Sequence, residues 1–252
     1  MGGILKYVSA TALSFLPFRG NQIQINGVIY NIPTSGVAGL ANTNVYLNGV
    51  AGQNLAASTL YRVYCFNNAG VLTADFSTTA HATSLTAGNV GTEIKSNDNT
   101  RTFIGLIYAN VNSQFADIPG TRYVRSWVNR RSAKFFVNAS STQALVASTW
   151  TQVAGSICYV VCFADEEISL AATGCINHPT AYATSQLNIG IDGTAGVTAG
   201  FTYTVSAGVW VPSSASWVSN PLTEGLHNFN GFAFTYNAAS VQINLAISGT
   251  VG

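Results

Sequence analysis

Apolar and polar positions alternate with a period of two along much of this 252-residue chain. That period places one row of side chains on each face of an extended strand. Val241, Ile243, Leu245 and Ile247 alternate with Gln242, Asn244, Ala246 and Ser248, so the final strand has an aliphatic face and a small polar face. Leu187, Ile189 and Ile191 alternate before Asp192-Gly193, and Phe201, Tyr203 and Val205 alternate with Thr202 and Thr204. Further strands are predicted at Leu60–Phe66, Phe103–Ala109, Arg122–Val128 and Lys134–Asn138. Asn26-Gly27, Asn48-Gly49 and Asp192-Gly193 punctuate these runs, and both residues of each pair tolerate the positive φ of a type I′ hairpin turn. No window of helical length carries a capped 3.6-residue period. The chain reads as all-β, with the short strands and regular turns of sandwiches or jelly rolls.

Charged residues are 8% of the chain and hydrophobic ones 48%. Globular proteins average roughly 25% charged residues. The shortage excludes a coiled coil and charge-driven disorder, both of which need abundant charge. The few charges are also segregated. Residues 1–134 hold all ten Lys and Arg against four acids, a net +6, whereas residues 135–252 hold five acids and no Lys or Arg, a net −5. The sign change at Arg130-Arg131-Ser132-Ala133-Lys134 predicts two antiparallel β-sandwich, jelly-roll-like domains, 20–134 and 135–252. They follow a short N-terminal arm or strand over 1–19. Residues 1–18 mimic a leader peptide, yet no small-residue cleavage site follows them. The basic excess is too dilute for a nucleic-acid face. No apolar run approaches the roughly 20 residues of a spanning helix, so membrane insertion is not expected.

Candidate chemistry is sparse. Cys158-x3-Cys162 and Cys175-x2-His178 have zinc-like spacing. On a strand, however, positions four apart share a face at roughly 13 Å, too far to hold one tetrahedral ion. The cysteines are better read as small buried hydrophobes in a reducing compartment, with the pairing of Cys175 left open. There is no phosphate-binding loop and no Gly-x-Ser-x-Gly elbow. His81, His178 and His227 stand in unrelated contexts. Asp165, Glu166, Glu167, Asp192 and Glu224 supply carboxylates for glycoside cleavage, but nothing marks one as a raised-pKa donor. No catalytic residue, metal or cofactor is expected.

Two groups of surface residues stand out. Arg122, Arg125, Arg130, Arg131 and Lys134 form the one basic cluster. They read either as a docking edge for an acidic partner or as a solvated edge whose Arg stems cover Tyr123 and Trp127. Trp150, Tyr203, Trp210, Trp217 and Tyr236 are candidates to stack on sugar faces, or else core and interface anchors.

Several segments resemble structural proteins of tailed bacteriophages of fibre, spike or decoration type. They are Leu60-Tyr61-Arg62-Val63-Tyr64, Thr78-Thr79-Ala80-His81, Gly91-Thr92-Glu93-Ile94-Lys95-Ser96-Asn97-Asp98-Asn99-Thr100-Arg101-Thr102-Phe103-Ile104-Gly105 and Arg125-Ser126-Trp127-Val128-Asn129-Arg130. Ile189-Gly190-Ile191-Asp192-Gly193-Thr194, Leu222-Thr223-Glu224-Gly225-Leu226-His227 and the closing alternating strand look like a phage fibre head. The resemblance implies a virion location after synthesis in the host cytoplasm, trimerisation, and other capsid, neck or tail proteins as partners. A charge-depleted second half also suits a subunit interface. The leading expectation is a non-enzymatic, homotrimeric virion protein that docks through its first domain and exposes its second. A carbohydrate-binding host-recognition module follows, and a polysaccharide depolymerase comes third.

Overall fold

The computed structural model describes residues 1–204 and 206–252, with backbone alone at 197–199, 201 and 202. Val205 of the alternating run therefore lies outside the described residues. Every regular element is a strand, and the chain is all-β. It divides into two compact units: residues 1–117 with 123–131, and residues 118–122 with 132–252.

The first unit begins with two hairpins, β1 (Ile4–Ser9) with β2 (Ala12–Leu16), and β3 (Gln22–Ile25) with β4 (Val28–Asn31). There follow β5 (Val45–Leu47), β6 (Val50–Gln53), β7 (Thr59–Asn68), β8 (Val71–Ser77), β9 (His81–Thr83), β10 (Glu93–Lys95) and β11 (Asp98–Ala109). These pair in the order β6-β5-β8-β7-β11-β10-β9, and only β5 and β8 run parallel. After β12 (Asp117–Ile118) and β13 (Thr121–Arg122), β14 (Val124–Ser126) returns to pair with β11. The hairpins form the second layer. Leu5, Leu13, Phe15, Ile23 and Ile25 from them pack into one core with Val63, Cys65, Phe76, Ile104 and Ile107 of the large sheet. Residues 4–16 are thus part of this core rather than an extension from it.

The second unit contains β15 (Ala133–Leu145), β16 (Thr151–Cys162), β17 (Ile168–Asn177), β18 (Ala183–Ile191), β19 (Thr194–Thr204), β20 (Trp210–Ser219), β21 (Gly225–Thr235) and β22 (Ala239–Val251). They form two sheets, β15-β22-β17-β20 and β16-β21-β18-β19. β13 extends the second sheet by pairing parallel to β16, with β12 outside it. Eight antiparallel strands interleaved in this way between two sheets make a jelly roll. The core follows the period of two. Val241, Ile243, Leu245 and Ile247 point inward to meet Val153, Cys158, Val160, Leu187, Ile189 and Phe229. The turn signals fold as their chemistry requires: Asn26-Gly27 has φ of 50° and 79°, and Asp192-Gly193 has 52° and 78°.

Candidate functional site

The basic cluster does not stay together. Arg125 lies on β14 with only 5% of its surface exposed, which removes its charge from any docking edge. Arg122 belongs to the second unit, where its Nε donates to the carbonyl of Lys134 at 2.8 Å. Arg130 lays its guanidinium 3.7 Å from the centre of the Trp127 ring. Arg131 instead joins Lys6 of β1 and Arg19 of the segment between β2 and β3. The Arg131 guanidinium carbon is 4.6 Å from the Phe18 ring centre, that of Arg19 is 5.5 Å away, and the Lys6 ammonium 6.0 Å. All three residues are exposed. Asn129 fixes the arrangement by donating to the carbonyls of Gly3 and Phe18, both at 2.9 Å. Lys95 and Arg101, by contrast, are consumed internally by the buried Asp75, at 3.8 and 3.0 Å. Burial of that carboxylate requires such partners.

In the jelly roll the carboxylates gather at one end. Asp165, Glu166 and Glu167 lie in the β16–β17 loop, Asp192 in the β18–β19 turn and Glu224 before β21. The chain enters the unit at this same end, where Ala133 pairs with Val251. Glu166 accepts a hydrogen bond from the backbone nitrogen of Phe163 at 2.9 Å. Asp192 holds His227 Nδ1 at 2.7 Å and accepts from Asn228 N at 3.0 Å. The other ring nitrogen of His227 faces the carbonyl of Thr223 at 2.8 Å. A catalytic dyad needs that nitrogen directed at a nucleophile, and here a backbone carbonyl occupies its place.

The opposite end carries aromatic rings. Trp150 packs on Phe234 at 5.1 Å between ring centres, and Phe234 packs on Tyr236 at 5.0 Å. Tyr182 and Tyr203 are 6.3 Å apart. Three of the five sequence-predicted rings, Trp150, Tyr203 and Tyr236, therefore share one region. Trp217 points inward and packs against the core. Trp210 lies on the other sheet, paired with Asn177. Tyr182 and Phe234 were not singled out from the sequence. The repeat Phe232-x-Phe234-x-Tyr236 was the available signal for one of them. Nothing local marks Tyr182, because its neighbour Tyr203 lies across a strand pair.

The outer face of β15-β22-β17-β20 differs from both ends. Cross-strand layers run Thr142–Gln242–Asn177–Trp210, Ser140–Asn244–Cys175–Pro212, Asn138–Ala246–Thr173–Ser214 and Phe136–Ser248–Ala171–Ser216. Lys134 is the only charged residue in these four strands. A shallow depression of about 370 Å³ crosses the middle, lined by Asn138, Ser140, Thr173, Cys175, Asn244 and Ala246. Cys175 is a free, half-exposed thiol on this face. Cys158 and Cys162 are both buried on the inner face of β16, as their spacing predicts. Among the described residues, no group of three or more His, Cys, Asp or Glu is placed to hold a metal.

No protein-family model and no curated protein matches the chain. Among solved structures, the globular domain of zebrafish complement 1qA protein aligns with 48% of this chain and 96% of its own length, at 10% identity and a TM-score of 0.33. The infectious bursal disease virus Gx strain structure aligns with 99% of this chain and 68% of its own, at 10% identity and a TM-score of 0.34.

Proposed function

We propose that this chain is a non-enzymatic structural protein of a bacteriophage particle, homotrimeric, docking through its first unit and presenting its second. The observation that carries this reading is the outer face of β15-β22-β17-β20. Its middle layers, Ser140–Asn244–Cys175–Pro212 and Asn138–Ala246–Thr173–Ser214, present small, uncharged side chains, with Trp210 and Phe136 in the layers on either side and Lys134 the one charge at its end. Stable interfaces are depleted in charged residues at their centres. A monomer gains nothing from leaving one face with a single charge while its loops keep five carboxylates.

Docking falls to the cations around Phe18. Lys6, Arg19 and Arg131 converge from distant parts of the chain. Like charges brought together oppose folding unless an anionic partner meets them. The proposed partner is the acidic surface of a capsid, neck or tail protein. The non-enzymatic reading rests on Glu166, Asp192 and His227, whose polar atoms engage backbone groups and, for Asp192 and His227, each other. Light scattering coupled to size exclusion tests the assembly. A mass of three chains is expected, and a stable monomer at micromolar concentration overturns the reading.

A further inference from the structure

The outer face of the six-stranded sheet ends in a row of rings at the end of the jelly roll away from its carboxylates. Tyr203 pairs with Thr184 on the neighbouring strand. Thr235 pairs with Ser185, and Tyr236 follows it. Tyr203 and Tyr236 therefore flank Thr184, about two strand spacings or ~10 Å apart. Tyr182 packs beside Tyr203, and Phe234 packs between Tyr236 and Trp150. Tyr182, Tyr203 and Tyr236 are 71%, 53% and 54% exposed.

The row is held rigidly. Tyr182 has φ of +57°, a left-handed conformation in which a bulky side chain is strained and which Gly or Asn would adopt at less cost. Its backbone nitrogen donates to the carbonyl of Thr204 at 2.6 Å. The buried His178 accepts from the Thr180 nitrogen at 3.0 Å. Ser148 donates to the Thr235 carbonyl at 2.8 Å, which fixes the loop before Trp150. Strain kept at an exposed ring is a mark of a ligand-contacting residue. Rings fixed in advance lose little entropy on binding.

We propose that this row binds an uncharged oligosaccharide. Tyrosine and tryptophan join an apolar face to a polar edge. That matches a sugar ring, whose C–H faces stack while its hydroxyls hydrogen-bond. Thr184, half-buried, stands between Tyr203 and Tyr236 on the same face of the sheet, and its hydroxyl and the tyrosine hydroxyls supply such bonds. Charge complementarity selects the class. The unit's cations are Arg122 and Lys134, joined to each other where the chain enters, and its five carboxylates sit in the loops of that same end. A phosphorylated, sialylated or uronate-containing chain meets no counter-charge at the rings. The inference goes beyond the structural role and does not need the trimer, because the row lies on the other sheet from the charge-poor face.

The test uses the full chain on an array of neutral oligosaccharides (maltohexaose, cellohexaose, mannan and galactan fragments) beside sialylated, phosphorylated and uronate-bearing ones. Hits are titrated by tryptophan fluorescence. At least one neutral hexasaccharide is expected to bind, and Tyr236→Ala and Tyr182→Asn are each expected to weaken it about tenfold or more. Tyr182→Asn suits the left-handed backbone, so its melting temperature should hold or rise while binding falls, which separates a binding role from a structural one. Val71→Ala, an exposed position in the first unit, should leave affinity unchanged. The proposal is overturned if no neutral glycan binds, if only charged glycans bind, or if affinity survives both ring substitutions. Light scattering on the same sample reports the trimer separately, so either reading can fail without the other.

Discussion

The four cysteines show what a strand pattern reveals about one residue and what it hides. Cys158 and Cys162 lie four apart on β16, and their common inward direction follows from the period of two alone. Burial pushes the thiols of Cys65 and Cys158 up to about 12. At pH 8 a thiol of that kind is about one part in 10⁴ thiolate, the species that reacts. Cys175 was open in the sequence, because a thiol on an outward strand position and one in a disulfide have the same local pattern. In the structure it is unpaired and lies among small polar neighbours on the outer sheet face. At pH 8 a maleimide reagent should label one cysteine per monomeric chain, Cys175, and label it far more slowly in the assembled protein. Mass spectrometry of the labelled peptides checks this, and equal labelling of Cys158 in the folded state would contradict the burial. Arg125 makes the complementary point. In sequence it belongs to a basic run, and only the pairing of β14 with β11 shows that it is buried.

At the scale of elements, legibility follows locality. The Asn26-Gly27, Asn48-Gly49 and Asp192-Gly193 hairpins are specified by neighbouring residues and fold where the pattern predicts. The jelly-roll order is different. β15 pairs with β22 from the far end of the unit, and β17 with both β22 and β20. Sequence pattern states which face of β22 is aliphatic and says nothing about which strands lie beside it. The charge-poor face could therefore be read only from composition, whereas the register shows its layers and its centre. Ala246 lies at that centre, beside Asn138 and Thr173. An Ala246→Arg substitution places a long cation on a surface that is open in the monomer and buried in the proposed trimer. The isolated fold should lose no more than about 0.5 kcal/mol, as for an ordinary surface change. The assembly should dissociate, because an unpaired charge is costly to desolvate. Light scattering with circular dichroism separates the two effects. A trimer that tolerates Ala246→Arg would move the interface to another face.

The charge balance of the whole molecule takes its meaning from the division into units rather than from halves of the sequence. The first unit has eight basic and four acidic residues, a net +4, and the second has two basic and five acidic, a net −3. Within the first unit the buried Asp75 engages Lys95 and Arg101, and Arg125 is buried. The exposed positive field is then concentrated at Lys6, Arg19 and Arg131 around Phe18. Lys6 and Arg19 are far from Arg131 in sequence, so the run Arg122–Lys134 indicated one member of the cluster and concealed the others. Attachment through such a cluster must be salt-dependent. The screening length falls from about 10 Å at 0.1 M salt to about 3 Å at 1 M, so exposed charges lose most of their reach over that range. Binding of the purified chain to particles that lack it should weaken steeply as sodium chloride rises from about 0.05 to 0.5 M. Arg131→Glu should act more strongly than simple loss of a cation, because the new carboxylate would pair with Lys6 or Arg19 and withdraw them as well. Its binding at low salt should fall about tenfold or more while the melting temperature holds, and much of the salt dependence should vanish with it. Particle binding that is indifferent to salt and to Arg131→Glu would transfer attachment to an uncharged surface. The cluster around Phe18 would then have no part in holding the particle.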